Sequence, residues 1–491
     1  MLDWMKKNYL LLILIFVGFI IRFLLVLKYG DFWDDEMFSF LFAQKTWPEG
    51  LIYWLWETNP PLHMLILKLW FFIFSANEFW ARLPSLILGT LTIPAVYYLA
   101  KIIWDKKTAL LATLFITLHP YHIFWSATAR TYSLLLLLSS LSVYFFYKIF
   151  FTATTKNKDR IFLGITNALL LFSHLSATIL IFSQLIIILV LNRKKIILWL
   201  KINFFPVLLA TAWLIPSFLI KYHNHLEKSW LLNLQHNFWS AIGPLINLTG
   251  GIRYNGWGLL SASILITLIL VIGILHLRKK DIPHLIIFTF LIVPILISIL
   301  CGVWHIKMLV YTLPFWVIII AYAINKISPY TIASYFIIIS LCLSGLMDLF
   351  IYTPFTSWPK VSNYIQTQTV ATENQALVYN DFILRTQIDR YLNLSIPNYP
   401  FDLAREPNMS WDDLVVKKNY LFLDFSEADL DNWFTKNDLN QYHQIILLQG
   451  EYTYMVFLNK TLEKNNYILT TPKTKAPLMG NFYLYTYVKN D

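Results

Sequence analysis

Four carboxylates stand within six positions of the stretch DFWDDEMFSF: Asp31, Asp34, Asp35 and Glu36. Such a cluster suits two roles. One is a solvated acidic loop. The other is acid–base chemistry, in which a carboxylate within hydrogen-bond reach of a hydroxyl takes its proton as the oxygen attacks an electrophile. Arg130, in ATARTYSL, stands at the mouth of an apolar stretch, where a guanidinium without an anionic partner is costly. That partner is Asp35, Glu36 or a phosphate, which its planar fork of donors fits; the plainer alternative is an arginine that snorkels to lipid headgroups. His63 faces either a site or a membrane interface. His174, in LFSHLSATIL, either reaches a cavity or is satisfied at a helix end.

These groups sit in an oily chain. Of 491 residues, 57% are hydrophobic and 14% charged, with a mean hydropathy of +0.56. Apolar runs of about 18 residues or more exclude a soluble globule and imply a polytopic helical membrane protein whose partner is the bilayer. The net charge of +11 does not imply nucleic acid. Residues 1–352 carry 27 Lys and Arg against 13 Asp and Glu, and residues 353–491 carry 12 against 15, so the basic excess belongs to the membrane half. There it falls in alternate loops: Lys6–Lys7; Lys101, Lys106 and Lys107; Lys148 to Arg160; Arg193 to Lys195; Arg278 to Lys280; and Lys326. By the positive-inside rule those loops are cytoplasmic. Cys301 and Cys342 give neither a disulfide framework nor a zinc spacing.

About eleven spans fit between these loops, near 8–27, 81–100, 108–125, 130–150, 160–174, 176–192, 196–220, 258–277, 283–303, 308–325 and 329–351. An odd count with a cytoplasmic N-terminus puts Asp31 and the C-terminal region on the outer face of a plasma (inner) membrane. The first span is too long for a cleaved signal peptide and lacks a small-residue cleavage site. In the long outer segment 28–80, Met37–Trp47 and Pro61–Phe74 read as interfacial helices; Pro60-Pro61 starts the second. A second outer segment, 221–257, carries His223, His225, His236, Trp230 and Trp239, read as surface or structural groups. From about Thr353 the pattern changes. Residues 376–379, 420–423, 444–448, 452–458 and 482–488 read as strands, with helices over Trp358–Gln368 and Ile383–Leu392. The expected organisation is a transmembrane catalytic domain over 1–352 and an extracytoplasmic soluble α/β domain over 353–491. No P-loop or GxGxxG is present.

Four blocks in order, WDDEMFSFLFA, NPPLHMLILKLW, NEFWARLPSLILGTLTIPAVYYLAKIIW and HPYHIFWSATARTYSLLLLLSS, resemble the GT-C membrane glycosyltransferases of the family 39 type, which includes protein O-mannosyltransferases and lipid A aminoarabinose transferases. HIKMLVYTLP and the soluble tail extend the likeness over most of the chain. The resemblance implies transfer of a sugar from a polyprenyl-phosphate donor to an acceptor on the outer face, a glycolipid, glycan or protein. It implies Asp35 as general base, with Glu36 orienting it or the acceptor, and leaves Asp31 and Asp34 as loop acids. It implies Arg130 and Lys307 as phosphate ligands, with His305 beside them. Arg82, in ARLPS, either locks a loop or serves the site, and Tyr132 and Ser133 stand where some branches carry an aspartate. Aminoarabinose transferases have an acidic-basic pair before the two prolines, whereas Thr58-Asn59 stands here, with Glu57 one step away. No cofactor is therefore carried over, and a divalent metal stays an open alternative. A transporter or flippase of a lipid-linked glycan would instead favour ionisable groups near the midplane, where Arg22 is the clearest charge. A non-catalytic scaffold displaying the tail is the third reading.

Overall fold

The computed structural model describes residues 6, 8–57, 59–223, 238–248, 281–302, 304–327, 336, 339–340, 342–343, 345–352, 358–368, 374–379, 382–392, 396–400, 427–449, 455–470, 474–475 and 483–490. The chain forms two compact units. The first comprises Met1–Lys28, Phe42–Tyr222 and Lys228–Thr353; the second comprises Tyr29–Leu41, His223–Glu227 and Pro354–Asp491. The acidic stretch thus groups with the C-terminal residues in the second unit.

The helices up to residue 327 are α1 (Tyr9–Lys28), α2 (Asp34–Gln44), α3 (Trp47–Trp56), α4 (Leu62–Trp70), α5 (Glu78–Ile103), α6 (Lys106–Leu118), α7 (Pro120–Ser126), α8 (Tyr132–Phe151), α9 (Asn157–Leu171), α10 (Ala177–Leu191), α11 (Ile196–His223), α12 (Phe238–Leu248), α13 (Ile282–Leu300), α14 (Ile306–Leu309) and α15 (Leu313–Ile327). Among the described residues, six helical segments are long and apolar enough to cross a membrane: Tyr9–Lys28, Glu78–Ile103, Tyr132–Phe151, Arg193–Ile220, Ile282–Leu300 and Ile306–Lys326. The expected spans near 160–174 and 176–192 are the shorter helices α9 and α10, of 15 residues each. The expected span 258–277 lies outside the described residues, as does much of 329–351. So do His225, Trp230 and His236, the side chains of His223 and Trp239, Thr58, and the expected strand at 420–423.

The expected span 108–125 is broken. Pro120 has no N–H to continue α6, so the chain turns at His119 and restarts as α7. The freed carbonyls of the last turn of α6 need donors, and Arg22 of α1 supplies them. Its five N–H groups reach Ser126 Oγ (3.2 Å), Gly18 O (2.8 Å), Thr117 O (3.2 Å), Ile116 O (3.2 Å) and His122 Nδ1 (2.6 Å). Gly89 of α5 makes room for this knot, since a Cβ there would lie 2.6 Å from Ser126 Cβ. A second buried network joins α8 to α11. Ser142 Oγ donates to Asn167 Oδ1 (2.6 Å), Asn167 Nδ2 to Asn203 Oδ1 (2.7 Å) and Gln184 Nε2 to Ser142 Oγ (2.7 Å). Such bonds tie helices together where lipid gives no hydrophobic drive for association.

The second unit is a sheet with helices on both faces. Its helices are α16 (Trp358–Gln368), α17 (Phe382–Tyr391), α18 (Glu427–Lys436) and α19 (Met455–Lys464). Its strands are β1 (Gln375–Tyr379), β2 (Asn398–Pro400), β3 (Gln444–Gln449), β4 (Tyr467–Leu469), β5 (Thr474–Lys475) and β6 (Tyr483–Lys489). The order is β2-β1-β3-β6-β4, with β5 also on β6; β1 is parallel to β2 and β3, and β6 is antiparallel to its partners. Alternation sorts the side chains. Ala376, Val378, Ile445 and Leu447 pack with Leu430, Trp433, Phe434 and Leu462 on one face. Leu377, Tyr379, Ile446 and Leu448 pack with Trp358, Val361, Ile365 and Ile388 on the other. One expectation is corrected: from Met455 on, the run expected as a strand over 452–458 is helical. A short apolar run carries no period to separate helix from strand.

Candidate functional site

The predicted site residues fall into two groups, one in each unit. In the first unit the groundwork is laid by backbone ties. Leu62 N–H, opening α4 after the two prolines, donates to Phe172 O (3.0 Å), so the turn between α9 and α10 is pinned beside His63. Thr131 Oγ1 donates to Ser173 O in that same turn (2.9 Å). Ser85 Oγ of α5 donates to Arg130 O (3.2 Å), and Arg130 N–H donates to Thr128 O (2.8 Å). The arginine's backbone is therefore fixed from two sides. Its side chain is buried.

Two histidines lie within electrostatic reach of Arg130. His174 lies in the turn between α9 and α10, outside both helices, and is 1% exposed. Its Nδ1 accepts Ser176 N–H (3.1 Å) and lies 2.8 Å from Ser176 Oγ, so the ring proton sits on Nε2. That Nε2 is buried without a hydrogen-bond partner. Burial first, then the positive charges of Arg130 and Lys307, hold the imidazole pKa down at about 3, so it is neutral at physiological pH. His63, on α4, is likewise lowered to about 3, mainly by burial; Ala129's backbone opposes this and Arg130 reinforces it. Tyr132 links the group, with ring centroids 4.0 Å from Trp125 and 5.8 Å from His174.

Lys307, half-buried, sits in the first turn of α14, which His305 caps by accepting Lys307 N–H on Nδ1 (3.2 Å). His305 thus has a structural use in holding the lysine's backbone. Arg82 is fully buried on α5, three residues before Ser85 and so on the same helix side. The structure brings Arg130, His63, His174, Tyr132 and Lys307 into one electrostatic neighbourhood.

The carboxylates belong to the second unit and differ in environment. Trp33 starts α2: its carbonyl accepts the N–H groups of Glu36 and Met37, each at 3.0 Å. Glu36 is fully buried, and its Oε2 accepts Trp33 N–H at 3.5 Å, half of a capping box. Asp35, one residue earlier, stays partly exposed. Ser39 Oγ donates to its backbone carbonyl (3.4 Å). Asp35 thus keeps contact with solvent, and the buried Glu36 accepts the N–H of the residue that opens α2. Among the described residues no three His, Cys, Asp or Glu side chains gather as a metal site.

Asp31 is not the loop acid expected. Its Oδ2 accepts Trp358 N–H at 2.7 Å, at the first residue of α16. No local signal could reveal this pairing, because its partner is 327 residues away.

The family described as dolichyl-phosphate-mannose-protein mannosyltransferase matches residues 58–222, about a third of the chain, beginning after the acidic stretch. Among curated protein sequences none matches the chain significantly. Among solved structures, apo ArnT from Cupriavidus metallidurans is similar over 98% of this chain and 98% of its own, with a TM-score of 0.57 and 11% identity. ArnT from the same organism bound to undecaprenyl phosphate covers the same shares, with a TM-score of 0.51 and 11% identity. The oligosaccharyltransferase AglB from Archaeoglobus fulgidus, in complex with an inhibitory peptide and a dolichol-phosphate, is similar over 99% of this chain and 75% of its own, with a TM-score of 0.54 and 12% identity.

Proposed function

We propose that this chain, which has the GT-C membrane glycosyltransferase fold, transfers a sugar from a polyprenyl-phosphate-linked donor to a hydroxyl of an extracytoplasmic acceptor, a glycolipid, glycan or protein. The observation that carries the reading is the buried Arg130 with Lys307 and the neutral His174 near it. A site with such charge, and with an N–H donor facing no protein acceptor, suits a phosphate. The undecaprenyl phosphate of ArnT and the dolichol-phosphate of AglB support that ligand class.

In this reading Asp35 takes the acceptor proton as its oxygen bonds to the anomeric carbon. The carbon–oxygen bond to phosphate breaks, and the electron pair leaves with the lipid phosphate. Arg130 and Lys307 bind that charge; His174 donates Nε2–H to a phosphate or sugar oxygen. Arg82, Tyr132 and His63 shape the surrounding pocket, while His305 holds Lys307. Glu36 keeps the first turn of α2 in place. Inversion at the anomeric carbon follows by analogy with the family. The lysine-rich loops face the cytoplasm of a plasma (inner) membrane, and the C-terminal domain lies outside.

Arg22 gives no support to a transport pathway, because its N–H groups are committed to the end of α6 and its neighbours. Mass spectrometry of cell-envelope lipids and glycoproteins, with and without the gene, tests the proposal. One acceptor class should lose a single-sugar increment, and the donor lipid should accumulate. Unchanged envelope glycans, together with no transfer by the purified protein, would overturn it.

A further inference from the structure

The segment leading into α2 is held by the C-terminal α/β domain through three hydrogen bonds, two to the Phe32 backbone and one to the Asp31 carboxylate. Phe32 N–H donates to Tyr391 Oη (2.9 Å), and Phe32 O accepts Gln387 Nε2 (3.3 Å). The Asp31 carboxylate accepts Trp358 N–H (2.7 Å), placing its charge at the N-terminus of α16, where the helix dipole favours it. Phe32 is fully buried with its ring 4.8 Å from Phe40, which lies further along α2. The Arg390 guanidinium covers both rings, 5.5 Å from Phe32 and 4.5 Å from Phe40. A single tail side chain therefore touches the approach to α2 and a later turn of the helix.

The gripping residues are themselves anchored. Gln387 is fully buried, and Trp358 and Ile388 belong to the core on one face of β1 and β3. The Trp358 and Tyr391 rings stack at 6.2 Å with 14° between planes. A sheet with helices packed on both faces is stiff on the scale of a side chain.

We infer that the C-terminal domain is a positioning module for the carboxylate helix, and that Trp358, Gln387, Arg390 and Tyr391 are its positioning residues. This rests on the reading of Asp35 as the base. A general base works only within hydrogen-bond reach of the proton it takes, and a misplacement of about 1 Å can cost on the order of a hundredfold in rate. Asp35 is the second residue of α2, three positions after Phe32. The direction of its side chain is set by the backbone that Tyr391 and Gln387 hold at both ends of one residue.

The test uses the full-length protein. Hydrogen–deuterium exchange is followed over 29–41 and, as a folding control, over β1 and β3. Product formation is measured by mass spectrometry in gene-deleted cells expressing each variant. In a Tyr391→Phe, Gln387→Leu double variant, exchange over 29–41 should rise about tenfold while the strands stay protected, and product formation should fall about tenfold or more. Asp31→Ala should behave alike. Asp31→Asn should be close to wild type, since its amide oxygen still accepts Trp358 N–H.

Unchanged exchange over 29–41 in the double variant would overturn the inference, as would faster exchange with undiminished product. Loss of strand protection in the double variant would leave the decision to the Asp31 pair: equal damage by Asp31→Asn and Asp31→Ala also overturns it, and rescue by Asn upholds it. Asp35→Asn separates the two layers. An active Asp35→Asn protein removes the base assignment, whereas an inactive one beside a fully active double variant removes only the positioning role.

Discussion

Arg22 Nη2 donates to His122 Nδ1 across 2.6 Å, deep in the first unit where both side chains are fully buried. Arginine is a donor only, so this contact uses an acceptor lone pair on the imidazole, whose Nδ1 also lies 3.0 Å from Ile116 O. The guanidinium also serves Ile116 O and Thr117 O, and so does for α6 what a helix cap does elsewhere.

Changing Arg22 should therefore damage stability rather than chemistry. Arg22→Met leaves the carbonyls of Gly18, Ile116 and Thr117 without that donor, and each buried acceptor left unsatisfied costs about 1–3 kcal/mol. Purified Arg22→Met should melt well below wild type, while turnover per folded molecule stays near normal. Thermal unfolding in detergent beside single-turnover rates checks this; a normal melting curve with lost turnover would give Arg22 a role in the reaction.

Asp35→Asn keeps the shape and removes the basicity. Transfer should fall at least about a hundredfold, the lower scale for loss of a general base, in a protein that still inserts and folds. Glu36→Ala should cost less chemistry and more stability, since it removes the buried acceptor that caps α2 through Trp33 N–H. Comparing turnover and melting temperature of the two variants separates the roles.

Arg130→Ala should weaken use of the lipid-linked donor more than use of the acceptor. Arg130→Lys should restore it only in part, because lysine keeps the charge but not the bidentate fork. Saturation curves for each substrate show which one suffers; equal and small effects on both would return Arg130 to a structural reading.

His174 should make the fold acid-sensitive. Its folded pKa of about 3 lies below the ordinary value of 6.5, so between those two values the unfolded chain binds the extra proton. Stability should fall as pH drops from about 6.5 toward 3, by at most about 1.4 kcal/mol per pH unit from this group, and level off below. His174→Gln should flatten that slope. Melting temperatures of wild type and variant across this window decide it, and identical slopes would refute it.

Orientation is checked by single cysteines in a background lacking Cys301 and Cys342. Lys436→Cys, on an exposed position of α18, should react with an impermeant thiol reagent in intact cells. Asn157→Cys, exposed between Lys156 and Lys158 at the start of α9, should react only after permeabilisation. The opposite pattern would place the C-terminal domain in the cytoplasm and remove the lipid-linked-donor mechanism.

Much of this architecture is legible in the sequence because it is written in local terms. Composition and run length announce the membrane half, and alternation announces β1, β3 and β6. The block order WDDEMFSFLFA to HPYHIFWSATARTYSLLLLLSS carries the resemblance to the GT-C fold. The span expected over 108–125 runs through Pro120, and the structure breaks it there into α6 and α7. What the residues touch is another matter. That Arg22 caps α6, that His305 caps α14 and that Ser142, Asn167, Gln184 and Asn203 form one network depends on how helices pack, which no period along a single helix encodes. Asp31 shows the limit most clearly. As one acid among four it has nothing to distinguish it, and only tertiary structure, by bringing Trp358 N–H to 2.7 Å, makes it the cap that ties the carboxylate helix to the C-terminal domain. A hydrogen bond reads distance in space, while patterning reads distance along the chain.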